Sequence, residues 1–132
     1  MGYSFRAYGH PNITGKHRTT FEFTKDSEVT LKGDCIVGVK ADFSLKGIKE
    51  FIQNSIKNNN KKIKIIIKTD GKEEIVHAEL NPSFNSDREM VVRKSGFLDG
   101  RTLAVKADKA ARDLKTGIKP DSVVEIVIDT TL

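Results

Sequence analysis

The densest group of chemically capable side chains lies in GHPNITGKHRTT, residues 9–20. It holds His10, Asn12, Lys16, His17, Arg18 and Thr19 between flexible glycines. Backbone amides of a Gly-containing loop, with an ammonium, a guanidinium and hydroxyls beside them, suit an oxyanion such as phosphate. The loop is not a P-loop, because the Gly-Lys-Ser/Thr spacing is absent. His10 and His17 can converge on a metal, but zinc needs a third or fourth ligand. Asp34, Cys35 and His77 are the available additions, and their spacing matches no known site, so no metal is expected. A polar hairpin loop with surface basic residues accounts for the same letters.

A second basic group is formed by Arg88, Arg93, Lys94 and Arg101. Cys35 follows Asp34 and can be a nucleophile if His10 or His17 serves as its base. A lone Cys at the start of an apolar strand is more simply a small buried residue. Asp42 and Asp108 recur in one pattern, as do Lys40 and Lys106. Paired carboxylates can do acid/base work, but helix N-capping explains both Asp residues more cheaply.

The elements that must position these groups follow from periodicity. Tyr3, Phe5 and Ala7 alternate with polar residues as in a strand, and so do Thr19, Phe21 and Phe23. Residues 35–41 form a short apolar strand. Asp42 or Ser44 can cap a helix whose stripe is Leu45, Ile48, Phe51, Ile52 and Ile56. A strand begins at Lys62, Asp70-Gly71 makes a tight turn, and residues 75–80 return. Strands follow at 89–93 and 102–107. Asp108 opens a short helix with Ala110, Ala111 and Leu114, stopped by Gly117 and Pro120, and a last strand spans 123–128.

This order contains a repeat. GDCIVGVKAD (33–42) matches GRTLAVKAD (100–108), and each copy sits inside a strand-strand-helix-strand unit. The expected fold is α+β and β-rich, one domain over 1–132, with β-β-α-β halves at about 19–68 and 88–129. The N-terminal strand and the 73–80 strand are then additions. Such halves resemble the six-stranded cradle-loop, double-psi-like barrels, and Gly33-Asp34 resembles their Gly-Asp turn. Gly100-Arg101 departs from it, and a duplicated open sheet is the rival architecture. By resemblance to the ligand-contacting loops of such barrels, Arg93, Lys94 and Arg101 become candidates beside the 9–20 loop and Asp34.

The formal net charge is +5, unevenly spread. The first twenty residues hold Arg6, Lys16 and Arg18 with no acid, and the stretch from Lys46 to Lys68 is rich in Lys. Such regions attract phosphates or acidic surfaces, although solvated lysines alone explain them as well. No apolar run approaches the roughly 20 residues that cross a bilayer. The N-terminus lacks the apolar region of a signal peptide, and one Cys can form no internal disulfide, so a cytoplasmic protein with no membrane partner is expected. Trp is absent and few aromatics accompany the basic clusters, which disfavours a surface that stacks successive bases.

The segments GHPNITGKHRTTFEFTKD (9–26), LKGDCIVGVKADFSL (31–45) and VVRKSGFLDGRTLAVKADKAARDL (91–114) resemble a family of short archaeal proteins catalogued as a domain of unknown function. The resemblance implies archaeal origin and cytosolic residence and supplies no activity or cofactor. From the residues, the expected function is non-enzymatic binding of RNA or another phosphate-bearing ligand through 9–20 and 88–101. The alternative is a small-molecule enzyme with a pocket around His10, His17, Arg18 and Asp34.

Overall fold

The computed structural model describes residues 2–115 and 117–131. It is a mixed α+β structure in which eight strands form one sheet beside a single α-helix. The strands are β1 (Gly2–Tyr8), β2 (Thr20–Thr24), β3 (Ile36–Gly38), β4 (Lys62–Thr69), β5 (Lys72–Leu80), β6 (Glu89–Arg93), β7 (Thr102–Val105) and β8 (Val123–Thr130). Helix α1 (Leu45–Lys57) connects β3 to β4. The sheet order is β1-β8-β4-β5-β7-β6-β2-β3. Pairing is antiparallel except for β2–β3 and β6–β7, each of which is parallel with a register shift.

Sheet and helix enclose one apolar core. Alternation drives it: Phe5 and Ala7 of β1, Ile63, Ile65 and Ile67 of β4, and Val124, Ile126 and Ile128 of β8 all turn inward. Phe5 packs edge-on against Phe23 and Phe43, with ring centroids 5.5 and 5.6 Å apart. Ile48, Phe51 and Ile52 form the buried stripe of α1. Ser44, rather than Asp42, caps this helix, its Oγ accepting the Gly47 N–H at 3.2 Å. The helix ends at Asn58–Asn60, where Asn59 adopts φ 54°. Asp70 and Gly71 have φ of 50° and 75°, which gives the hairpin turn between β4 and β5 the expected primed form.

Two sequence expectations are corrected. The segment after Asp108 makes only a 3-10 turn, Ala111–Asp113. Its apolar content is two alanines and a leucine before Gly117, too small a face to hold a longer helix. Asp42 and Asp108 do not cap helices: Asp42 Oδ1 accepts the Arg6 N–H at 2.7 Å, and Asp108 Oδ1 accepts the His77 N–H at 3.0 Å. In return, each Asp N–H donates to the carbonyl of that same residue at 3.0 Å. The aspartates tie each strand-exit corner to a neighbouring strand. The 1–8 and 73–80 strands, expected as additions to six others, are members of the same eight-stranded sheet.

The two corners are built alike. Lys40 and Lys106 have φ of 53° and 54°. Their N–H groups donate to Asp26 and Ser95 carbonyls at 2.9 and 3.0 Å. The next residues, Ala41 and Ala107, donate to Thr24 and Arg93 at 2.9 and 3.0 Å. The sheet's edges also meet: Tyr8 and Val39 exchange two backbone hydrogen bonds of 2.8 Å. No α-helix among the described residues is long and apolar enough to cross a membrane.

Candidate functional site

Residues 9–19 connect β1 to β2 and are held at several points. Gly9 donates to Ser122 O at 3.0 Å, and a Cβ there would lie 1.9 Å from the Lys119 carbonyl oxygen, so only glycine fits. Asn12 Nδ2 donates to Val29 O at 2.9 Å. The Asn12 N–H donates to His10 Nδ1 at 3.0 Å, which puts the imidazole proton on Nε2, 2.9 Å from Glu28 Oε2. His17 Nδ1 accepts the Thr19 N–H at 3.3 Å. The two imidazoles thus serve different local structures: His10 faces the 25–32 loop, and His17 turns back on Thr19.

Two backbone bonds join this loop to other basic residues. Lys94 N–H donates to Thr19 O at 2.8 Å, and Arg112 N–H donates to His17 O at 3.0 Å. Lys16, Arg18, Lys94 and Arg112, all exposed and from three separate segments, are therefore brought close to half-buried His17 and exposed Thr19. Two acids lie among them: Asp34, whose carbonyl accepts the His17 N–H at 3.3 Å, and Asp113. Asp113 accepts Lys94 Nζ at 2.8 Å. That bond, the Ala110 N–H and the Arg112 charge hold its carboxyl below the usual range. Lys16, Arg18 and Arg112 form no ion pair among the described residues.

The structure sends the remaining candidates elsewhere. Arg93 Nε donates to Thr102 Oγ1 at 2.8 Å, its NH2 reaches Asp99 Oδ2 at 3.3 Å, and its guanidinium lies 5.0 Å from the centroid of the Phe97 ring. Arg101 donates to Glu89 Oε1 at 3.2 Å, and Arg88 pairs with Asp26. Asp99 is held below the usual carboxyl range by the Thr102 hydroxyl, then by the charge of Arg93 and the Arg101 N–H. Arg88, Arg93 and Arg101 are thereby paired with acids, as Lys94 is with Asp113, and of that group Lys94 alone bonds the 9–19 loop. Asp34 meets the loop through its carbonyl, which accepts the His17 N–H at 3.3 Å.

Beneath Arg101 lies a polar cluster that sequence reasoning missed. Glu22 is only 7% exposed, on the face of β2 opposite Phe21 and Phe23. Burial, followed by the charge and hydrogen bond of Glu89, pushes its carboxyl up to about 7 against the weaker pull of Arg101. Cys35 Sγ lies 3.8 Å from Glu22 Oε1. Burial and the neighbouring Glu22 and Asp34 charges push that thiol up to about 11, so it is a thiol rather than a thiolate at neutral pH. Glu22 stands between two phenylalanines in TFEFT, where alternation assigns it to solvent; nothing local signals that the second face of β2 is also covered. Arg112 was equally hidden, because only the fold brings it to His17.

Residues 5–125 match the family model described as a domain of unknown function, DUF371. The chain belongs to this family. A relative within reach of sequence comparison is an uncharacterized protein, MJ0206, of the archaeon Methanocaldococcus jannaschii. It is 34% identical over 120 residues, spanning 89% of this chain and 88% of the relative. The family expected from the 9–26, 31–45 and 91–114 segments is therefore the one found, and the match runs almost the length of both proteins.

Proposed function

We propose that this member of the DUF371 family is a non-enzymatic RNA-binding module. It binds the phosphates of a single strand through Lys16, Arg18, Lys94 and Arg112, with His17 and Thr19 between them. The observation that carries this is the pair of backbone bonds, Thr19 O to Lys94 and His17 O to Arg112, which gathers four cations from three segments against two acids, Asp34 and Asp113. The anchored 9–19 loop holds its amides and charges in place before a ligand arrives, which lowers the ordering cost of binding. The small-molecule enzyme built on His10, His17, Arg18 and Asp34 has less support, since His10 is turned to Glu28 and His17 to Thr19.

The scaffold we infer is a duplicated barrel. Hydrogen bonds at Lys40-Ala41-Asp42 match those at Lys106-Ala107-Asp108, and the Tyr8–Val39 bridge matches the Glu79–Val105 pairing. On that correspondence β1 to β4 equal β5 to β8, so the halves run over 2–69 and 72–130, and the Tyr8–Val39 bridge closes the sheet. A cytoplasmic setting, where RNA is available, goes with this reading.

The test is fluorescence anisotropy with a labelled eight-nucleotide RNA at low salt. Binding is expected, with a loss of at least tenfold in Arg18→Ala and in Arg112→Ala. If about four phosphates are contacted, affinity falls by roughly 50-fold between 50 and 200 mM salt. No binding at 50 mM salt, or binding indifferent to both substitutions, refutes the proposal.

A further inference from the structure

A cavity of about 220 Å³ opens immediately beside the cationic region. Ile13, Val37, Leu114 and Ile118 supply aliphatic walls, and Thr14 lines it from the 9–19 loop. Gly15 and Gly117 also line it, and having no side chains they can offer only backbone. Thr14 Oγ1 is buried and finds no hydrogen-bond partner among the described residues. A buried hydroxyl without a partner is costly, and a turn of the Thr14 side chain toward the cavity would let a ligand group supply one. Three residues of the lining, Gly15, Ala111 and Leu114, are each followed in sequence by a cation: Lys16, Arg112 and Lys115. Apolar walls, a polar edge and a positive rim describe a ligand with a flat or apolar body attached to an anion.

We propose that this cavity receives one nucleobase of the bound RNA strand, turned out of the stack, while Lys16 and Arg112 hold its flanking phosphates. This rests on the cationic region binding RNA. The volume is below the roughly 300–1,000 Å³ of sites for drug-sized ligands, which suits one heterocycle and excludes a whole nucleotide. Its aliphatic faces sandwich the ring, and the Thr14 hydroxyl with glycine backbone meets the edge. Single-stranded RNA is commonly recognised by splayed bases bonded at their edges. A lone base pocket also fits a chain that lacks the run of surface aromatics needed to stack successive bases.

The test compares eight-nucleotide RNAs carrying bases (rA8, rC8 and rU8) with an abasic eight-mer of ribose phosphate, by anisotropy at 50 mM salt. At least one base-bearing oligomer is expected to bind ten or more times tighter than the abasic one. Ala111→Leu, which fills the cavity, should bring that oligomer down to the abasic level and leave abasic affinity unchanged. Thr14→Val removes a buried hydroxyl that has no partner, so its melting temperature should equal or exceed that of the wild type. It should weaken the preferred oligomer three- to tenfold, which keeps the proposal testable if Ala111→Leu does not fold. Equal binding of abasic and base-bearing oligomers overturns the base pocket and leaves the phosphate site standing; no binding of any oligomer overturns both.

Discussion

Glu22 permits a worked prediction about stability. The residue is 7% exposed, and its carboxyl lies against Glu89 and is pushed from the ordinary 4.5 up to about 7. Between those values the folded chain holds a proton that the unfolded chain has released, so unfolding free energy falls as pH rises. The contribution of the neutral acid is complete below about 4.5 and gone above about 7. A displacement of this size corresponds to roughly 3–4 kcal/mol at about 1.4 kcal/mol per unit, of which about 2 kcal/mol remains once the ionised side chain turns toward water. Glu22→Gln keeps the size and a hydrogen-bond donor toward Glu89 without a titrating proton. Urea unfolding of both proteins from pH 4.5 to 8.5 should give matching stabilities at the acid end. At pH 8 the variant should be more stable by about 2 kcal/mol, which for a domain of this length is a melting-temperature gain of roughly 8 °C. Subtracting the two curves removes every other group titrating in the window. Parallel curves, or a variant less stable at pH 8, would refute the placement of a proton on buried Glu22.

Two further outcomes follow from the corners and the thiol. Asp42→Ala and Asp108→Ala should each cost about 1 kcal/mol in urea unfolding, since each strands a backbone N–H, while the Asn variants retain an acceptor and stay near wild type. Selective loss of helical circular dichroism in Asp42→Ala would show instead that Asp42 caps α1. Cys35, with its thiol pushed up to about 11, should react with iodoacetamide slowly at pH 7.5 and progressively faster toward pH 11 in the folded protein. Rapid alkylation at pH 7.5 would contradict the raised thiol of half-buried Cys35 beside Glu22.

Much of this molecule is legible in its letters because its elements are locally determined. Alternation marks β1, β4 and β8, the Leu45-Ile48-Phe51-Ile52 stripe marks α1, and Asp70-Gly71 marks the hairpin. What fails is whatever depends on a partner distant in sequence. Asp42 and Asp108 look like caps because they precede helix-like segments, yet each carboxylate binds a strand that chain order does not place beside it. The 108–114 segment has a cap residue and a stop signal but no apolar face wide enough to hold a helix on the sheet. At the candidate site, the 9–19 loop is visible from composition alone. Which cations accompany it is not: Arg93 and Arg101 are claimed by Asp99 and Glu89, while Arg112 arrives through one backbone bond to His17.

The central claim is that RNA phosphates sit on the region shared by Lys16, Arg18, Lys94 and Arg112. Its most direct measurement is a titration of the ¹⁵N-labelled protein with the eight-nucleotide RNA, followed by amide chemical shifts. The account predicts that the largest changes cluster at residues 13–19, 94 and 111–115, and that they fade as salt is raised. Shifts concentrated on the lysines of α1 and β4, or no shifts at all, would contradict it.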